Sequence, residues 1–244
     1  MGALGRADAG LITDVKDDFE KKCIILLERA CKTLKTKKHV DTEWGEENIT
    51  ANIFTYIHKS QLSIDYDIFI ECEHPFFSQA VLDNKKRAKG SPRIDLVFQH
   101  NWEGHRKSFY VEAKNLIEHD FTKKGNKYAT KAIGVQDRYI KTGIDHYLES
   151  HYPKGCILGY VLNGTIANVV VGINERLKKN KRDDEVLNYN AGSYPWICYK
   201  SDHAAKSMSI AHYLFDFKES TPDFDSKVDD IGFEFKDVKR GIED

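Results

Sequence analysis

An α/β fold, a central mixed β-sheet flanked by helices, is what this 244-residue chain predicts. Apolar residues recur at helical spacing in four long stretches and alternate or run together in six short ones. The two kinds are interleaved along the chain, an order that favours a sheet with helices packed on its faces. Hydrophobic residues make up 41% and charged residues 31%, which is too apolar for a disordered chain, and the length is enough to bury a sizeable core.

Each element has its own warrant. Leu11, Val15, Phe19, Ile24, Leu27, Ala30 and Leu34 form one stripe, so residues 11–34 read as an amphipathic helix. In "EWGEENITANIFTYIHKS" the residues Ile49, Ile53 and Ile57 lie along one side of a second helix. "SIDYDIFIECE", residues 63–73, alternates as a strand, and "NKKRAKGSP" is a solvated loop leading into a strand at 93–99. "QHNWEGHRKS" then separates two strand-like runs, predicting an antiparallel hairpin with a long loop. Residues 127–150 are helical by period, 155–164 are a buried strand, and 165–180 form another helix. "WICYK" and "SIAHYLFDF" close the fold as two strands. One domain over 1–217 and an acidic tail over 218–244 are expected.

The formal net charge of −1 conceals an asymmetry. From Asp216 to Asp244 there are ten acidic and five basic residues, leaving 32 basic and 28 acidic, or +4, on residues 1–215. A mildly basic body can approach a polyanion. The tail mixes Phe224, Ile231, Phe233 and Phe235 with its acids, a composition suited to docking on the body or on a partner. The five cysteines are scattered, odd in number and free of C-x-x-C spacing, so they read as reduced core residues of a cytoplasmic protein. No window has membrane-spanning length, and no His or Cys spacing suggests zinc.

Two strand-like runs carry charges where packing alone would prefer Val or Ile: "RIDLVF" with Asp95, and "FYVEAKN" with Glu112 and Lys114. Alternation puts Glu112 and Lys114 on one face of their strand and Val111 and Ala113 on the other. A hairpin partner brings Asp95 beside them. Two carboxylates and an ammonium at one end of an apolar strand pair are costly to bury unless each is compensated, and a hard cation such as Mg²⁺ selects such an oxygen-rich set.

In these residues the chain resembles the PD-(D/E)XK nuclease superfamily, whose restriction-endonuclease-like core carries an Asp and then a Glu-x-Lys on the next strand. "PRID" and "VEAKN" supply that pattern, and the resemblance spans roughly residues 43–165. Two flanking features match as well. Glu46 in "EENIT" corresponds to the superfamily's upstream helix carboxylate, and it shares the inward stripe of Ile49 and Ile53 where Glu47 does not. Gln136 in "GVQDRYI" stands where relatives place a Gln on the following helix.

The resemblance implies a Mg²⁺-dependent endonuclease, with Mn²⁺ able to substitute, held by Asp95, Glu112 and the main-chain carbonyl of Ala113. Lys114 would position the attacking water or neutralise charge on the phosphate. The basic residues Lys85, Lys86, Arg87, Lys89 and Arg93 flank the site and would grip a DNA backbone. By analogy with relatives, the setting is bacterial restriction or anti-phage defence, with a homodimer or an ATPase partner, since this chain has no phosphate-binding P-loop motif. Two other readings fit the same residues: an inactive nucleic-acid- or protein-binding module of that fold, and a structure-specific repair nuclease.

Overall fold

The computed structural model describes residues 9–75, 82–84, 89, 91, 93–102, 105–149, 155–191 and 196–218, with the backbone alone for 9–17 and Trp102. The expected tail past Lys218 and the basic residues Lys85, Lys86 and Arg87 lie outside the described residues.

Seven strands form one sheet in the order β1-β2-β3-β4-β7-β6-β5. They are β1 Phe69–Pro75, β2 Arg93–Trp102, β3 His105–Ile117, β4 Gly155–Asn163, β5 Asn188–Tyr189, β6 Cys198–His203 and β7 Met208–Asp216. The central neighbours β3, β4 and β7 run parallel, and the remaining pairs are antiparallel. The sheet is therefore mixed, as the interleaved sequence pattern predicts.

Helices cover both faces because the strands bury both. Along β4, Cys156, Leu158 and Tyr160 enter one core with α1 (Ala9–Lys37) and α2 (Glu46–His58), while Ile157 and Val161 enter a second core on the opposite face. The second core is closed by α4 (Ala132–Arg138), a π-helical segment Tyr139–Asp145, α5 (His146–Glu149) and α6 (Ile166–Lys179). The predicted stripe of Ile49, Ile53 and Ile57 is fully buried. Gly159 is a requirement of this double packing: a Cβ there would fall 2.4 Å from Leu214 and 2.6 Å from Leu116. Cys23, Cys31, Cys156 and Cys198 are buried free thiols, and burial raises the pKa of each.

Several boundaries differ from the sequence reading. The strand expected from Ser63 begins only at Phe69, because Ser60 accepts a hydrogen bond from the Leu62 N–H at 3.2 Å and starts a short helix, α3 (Gln61–Asp65). The left-handed Asp67 (φ 50°) then turns the chain into β1. The hairpin is tighter than the Asn- and Gly-containing linker suggested, since pairing continues from Leu96–Val111 to Trp102–His105. The helix expected from 127 starts at Ala132, after a Phe121–Thr130 bridge. Among the described helices, none is long and apolar enough to cross a membrane.

Candidate functional site

The site is built where two strands part. The β2–β3 pairing runs as far as Leu96–Val111, and past that point the edge of β3 is taken up by side chains. Asp95 Oδ2 accepts the Ala113 N–H at 2.6 Å, and Glu46 Oε2, from the first turn of α2, accepts the Asn115 N–H at 3.0 Å. Two backbone donors that a ladder would have satisfied are thus capped by carboxylates. The Asn115 side chain ties the assembly down by donating to the Trp44 carbonyl at 3.1 Å.

The Lys114 ammonium stands amid these oxygens. It donates to Glu112 Oε1 at 2.7 Å, to the Ala113 carbonyl at 2.7 Å and to Glu46 Oε1 at 3.3 Å, with Asp95 Oδ2 at 3.8 Å. Glu112 and Lys114 are both buried on the face opposite Val111 and Ala113. Arg138 Nη2 meets Glu46 Oε2 at 3.0 Å, and His146 Nδ1 lies 3.6 Å from Glu112 Oε1. The π-helical segment passes directly above: a Cβ on Gly143 would sit 3.5 Å from Lys114 Cγ. The carboxylates converge on the ammonium, and among the described residues no group of three acidic, His or Cys side chains is already gathered for a metal.

Burial strains the charges of this cluster. Glu112 Oε2 is buried with no hydrogen-bond partner. Burial, with the repulsion of Glu112 behind it, pushes the Asp95 carboxyl up to about 7 despite Lys114 and the Ala113 N–H. For Lys114, burial works against the charged form, but Glu112, Glu46 and Asp95 outweigh it and raise its pKa. The neighbouring Glu112 carboxylate likewise raises the pKa of His146. The cluster thus sets three carboxylates against Lys114, Arg138 and His146 and leaves one buried carboxylate oxygen without a partner.

A pH dependence follows. The folded-state pKa of Asp95 lies above its unfolded value of 3.8, so its stabilising contribution is present below about pH 4 and is lost as pH rises through 7. In metal-free buffer, Asp95→Asn should therefore be more stable than wild type at pH 8 and lose that advantage at pH 4. The difference is at most about 4 kcal/mol, because the side chain keeps 28% exposure and water screens part of the effect. Urea denaturation of both proteins at pH 4 and pH 8 checks it; a variant less stable at pH 8 would contradict the raised Asp95 carboxyl.

Of the residues singled out in the sequence, Glu46, Asp95, Glu112, Ala113 and Lys114 are brought together, and Glu47 is exposed. Gln136 is placed elsewhere. It is buried with its amide over α6, where a Cβ on Gly172 would fall 2.5 Å from its Nε2. The helix residue that reaches the cluster is Arg138. Lys89 and Arg93 are exposed, and Arg93 pairs with Glu73 at 2.9 Å. Sequence reasoning missed Arg138, His146 and Asn115, although Arg138 and Asn115 lie inside the quoted motifs. It also missed a basic loop after β3. There Lys124 N–H and Lys123 Nζ bind Glu43, three residues before Glu46, and Lys127 lies 5.6 Å over the 76%-exposed ring of Tyr128.

No protein-family model matches this chain, and neither a curated protein nor a solved structure matches it.

Proposed function

We propose that the protein is a divalent-metal-dependent phosphodiesterase acting on DNA, a nuclease of the PD-(D/E)XK kind with a restriction-endonuclease-like core. One observation carries the reading. At the parted edge of β3, two carboxylates, a third from α2 and the Ala113 carbonyl surround the Lys114 ammonium, while Glu112 keeps a buried oxygen without a partner. A purely architectural ion pair has no need of a buried carboxylate oxygen left without a partner.

The residues fit a hard divalent ion. Asp95, Glu112 and the Ala113 carbonyl are all-oxygen donors, the set that Mg²⁺ or Mn²⁺ takes. To hold the ion, Lys114 must give up the Ala113 carbonyl and Glu112, which leaves its ammonium free to face a phosphate or an attacking water at the same spot. Mg²⁺, when bound, polarises the scissile phosphate and lowers the pKa of a water. Lys114 then supplies a fixed positive charge where negative charge develops. Glu46, gripped by Arg138 and the Asn115 N–H, fixes the lysine's reach. The lysines of the 118–131 loop, with Tyr128, offer backbone and stacking contacts beside α2.

The test is direct. Purified protein is incubated with plasmid, linear duplex, single-stranded DNA and RNA, each with Mg²⁺ and with EDTA. Cleavage of DNA in Mg²⁺ alone is expected. Binding in EDTA that weakens with salt, with no cleavage of any substrate in Mg²⁺ or Mn²⁺, would identify an inactive binding module instead.

A further inference from the structure

The π-helical segment Tyr139–Asp145 is the element that lays Gly143 on Lys114 and, at its end, His146 near Glu112. Such wide turns are rare and intrinsically poor, so a stretch this long needs an external hold. The hold is visible at both ends. Tyr139 Oη lies 2.7 Å from His212 Nδ1, His212 Nε2 lies 2.8 Å from Ser201 Oγ, and Ser201 Oγ lies 2.8 Å from His203 Nε2. His203 Nδ1 meets Glu185 Oε2 at 2.7 Å, Arg182 Nη2 meets the same oxygen at 2.6 Å, and Arg182 Nη2 meets Asp145 Oδ1 at 2.8 Å. The chain of contacts leaves the first residue of the π segment, crosses β7 and β6, and returns to its last residue.

Counting donors gives this chain a direction. The Glu185 carboxylate only accepts, so His203 carries its proton on Nδ1. With Ser201 donating its O–H to His203 Nε2, Ser201 accepts from His212 Nε2–H, and His212 Nδ1 accepts the Tyr139 O–H. Burial holds His212 neutral, at about 3, in agreement. Every polar group is used once. Tyr139, Ser201 and His212 are fully buried, so each depends on these partners alone.

We infer that Tyr139, His212, Ser201, His203, Glu185 and Arg182 are positioning residues: one polar chain that clamps the π segment at both ends and so sets where Gly143 and His146 lie against Lys114 and Glu112. The use of those contacts in catalysis rests on the nuclease reading; the clamp itself does not.

Tyr139→Phe removes one link with little change of shape, and Arg182→Met opens the outer end, where partial exposure keeps folding safe. In the metal-free full-length protein, either change should move the amide resonances of Gly143 and His146 and leave those of α1 and β1 in place. Single-turnover cleavage in Mg²⁺ should fall about 10- to 100-fold, as when partners of active-site groups are removed, with DNA affinity in EDTA unchanged. Folded variants whose Gly143 and His146 resonances stay put overturn the clamp, and shifted resonances with wild-type turnover overturn its positioning role. If wild-type protein cuts nothing, the nuclease reading falls and the resonances alone decide the clamp.

Discussion

Glu112→Gln is expected to abolish Mg²⁺-dependent DNA cleavage, by about three orders of magnitude or more, while leaving a folded protein. The side chain is 5% exposed, bonds the Lys114 ammonium through one oxygen and has no partner for the other. The amide keeps the first interaction, since its carbonyl can face Lys114, so the cost in stability is about that of one altered hydrogen bond to a charged group, ~1–3 kcal/mol. What it removes is the charge. A carboxylate that holds a metal underlies several kcal/mol of transition-state stabilisation, and each ~1.4 kcal/mol is a factor of ten in rate. Affinity for DNA in EDTA should be retained or rise slightly, because one negative charge has left the surface that meets phosphate. Gel-based cleavage beside a melting curve reads both. Wild-type cutting by Glu112→Gln would sink the site assignment.

How much of this was legible in the sequence depends on what each feature is made of. Period carries the helix stripes and the strand faces, so Ile49, Ile53 and Ile57 could be placed inward, and Glu46 preferred over Glu47, from spacing alone. Alternation likewise put Glu112 and Lys114 on one face. Alternation does not say where a ladder stops. The parting of β2 from β3 beyond Leu96–Val111, which gives Asp95 and Glu46 their backbone partners, is a property of three strands and a helix together. Gln136 rests on the place relatives give a Gln, yet here it is buried against α6, and Arg138, just before the helix widens at Tyr139, is the residue that meets Glu46. The same widening hid His146, whose relation to Glu112 no single period encodes. His203 and His212 are buried. Their partners Glu185, Ser201 and Tyr139 come from three separate stretches, so the chain they form had no local signal.

Lys114→Met separates chemistry from architecture. If the ammonium acts on the reacting phosphate or its water, single-turnover cleavage should fall by about 10²–10⁴-fold, the range for losing a positioned proton-transfer or charge-stabilising group. Metal affinity should persist or tighten, because a cation that competes for Glu112 and the Ala113 carbonyl has gone. The methionine retains most of the packing beneath Gly143. Stability supplies the second axis. Without Lys114, the carboxylates of Glu46, Asp95 and Glu112 face one another with less compensation, so the melting temperature should drop at pH 8 more than at pH 5. Added Mg²⁺ should restore much of the loss by binding the folded state alone. A structural ion pair predicts the opposite combination: a destabilised protein that Mg²⁺ does not rescue, with near-normal turnover in its folded fraction. Finding that combination would show that the charges of "VEAKN" are architecture, and the nuclease reading would fall with them.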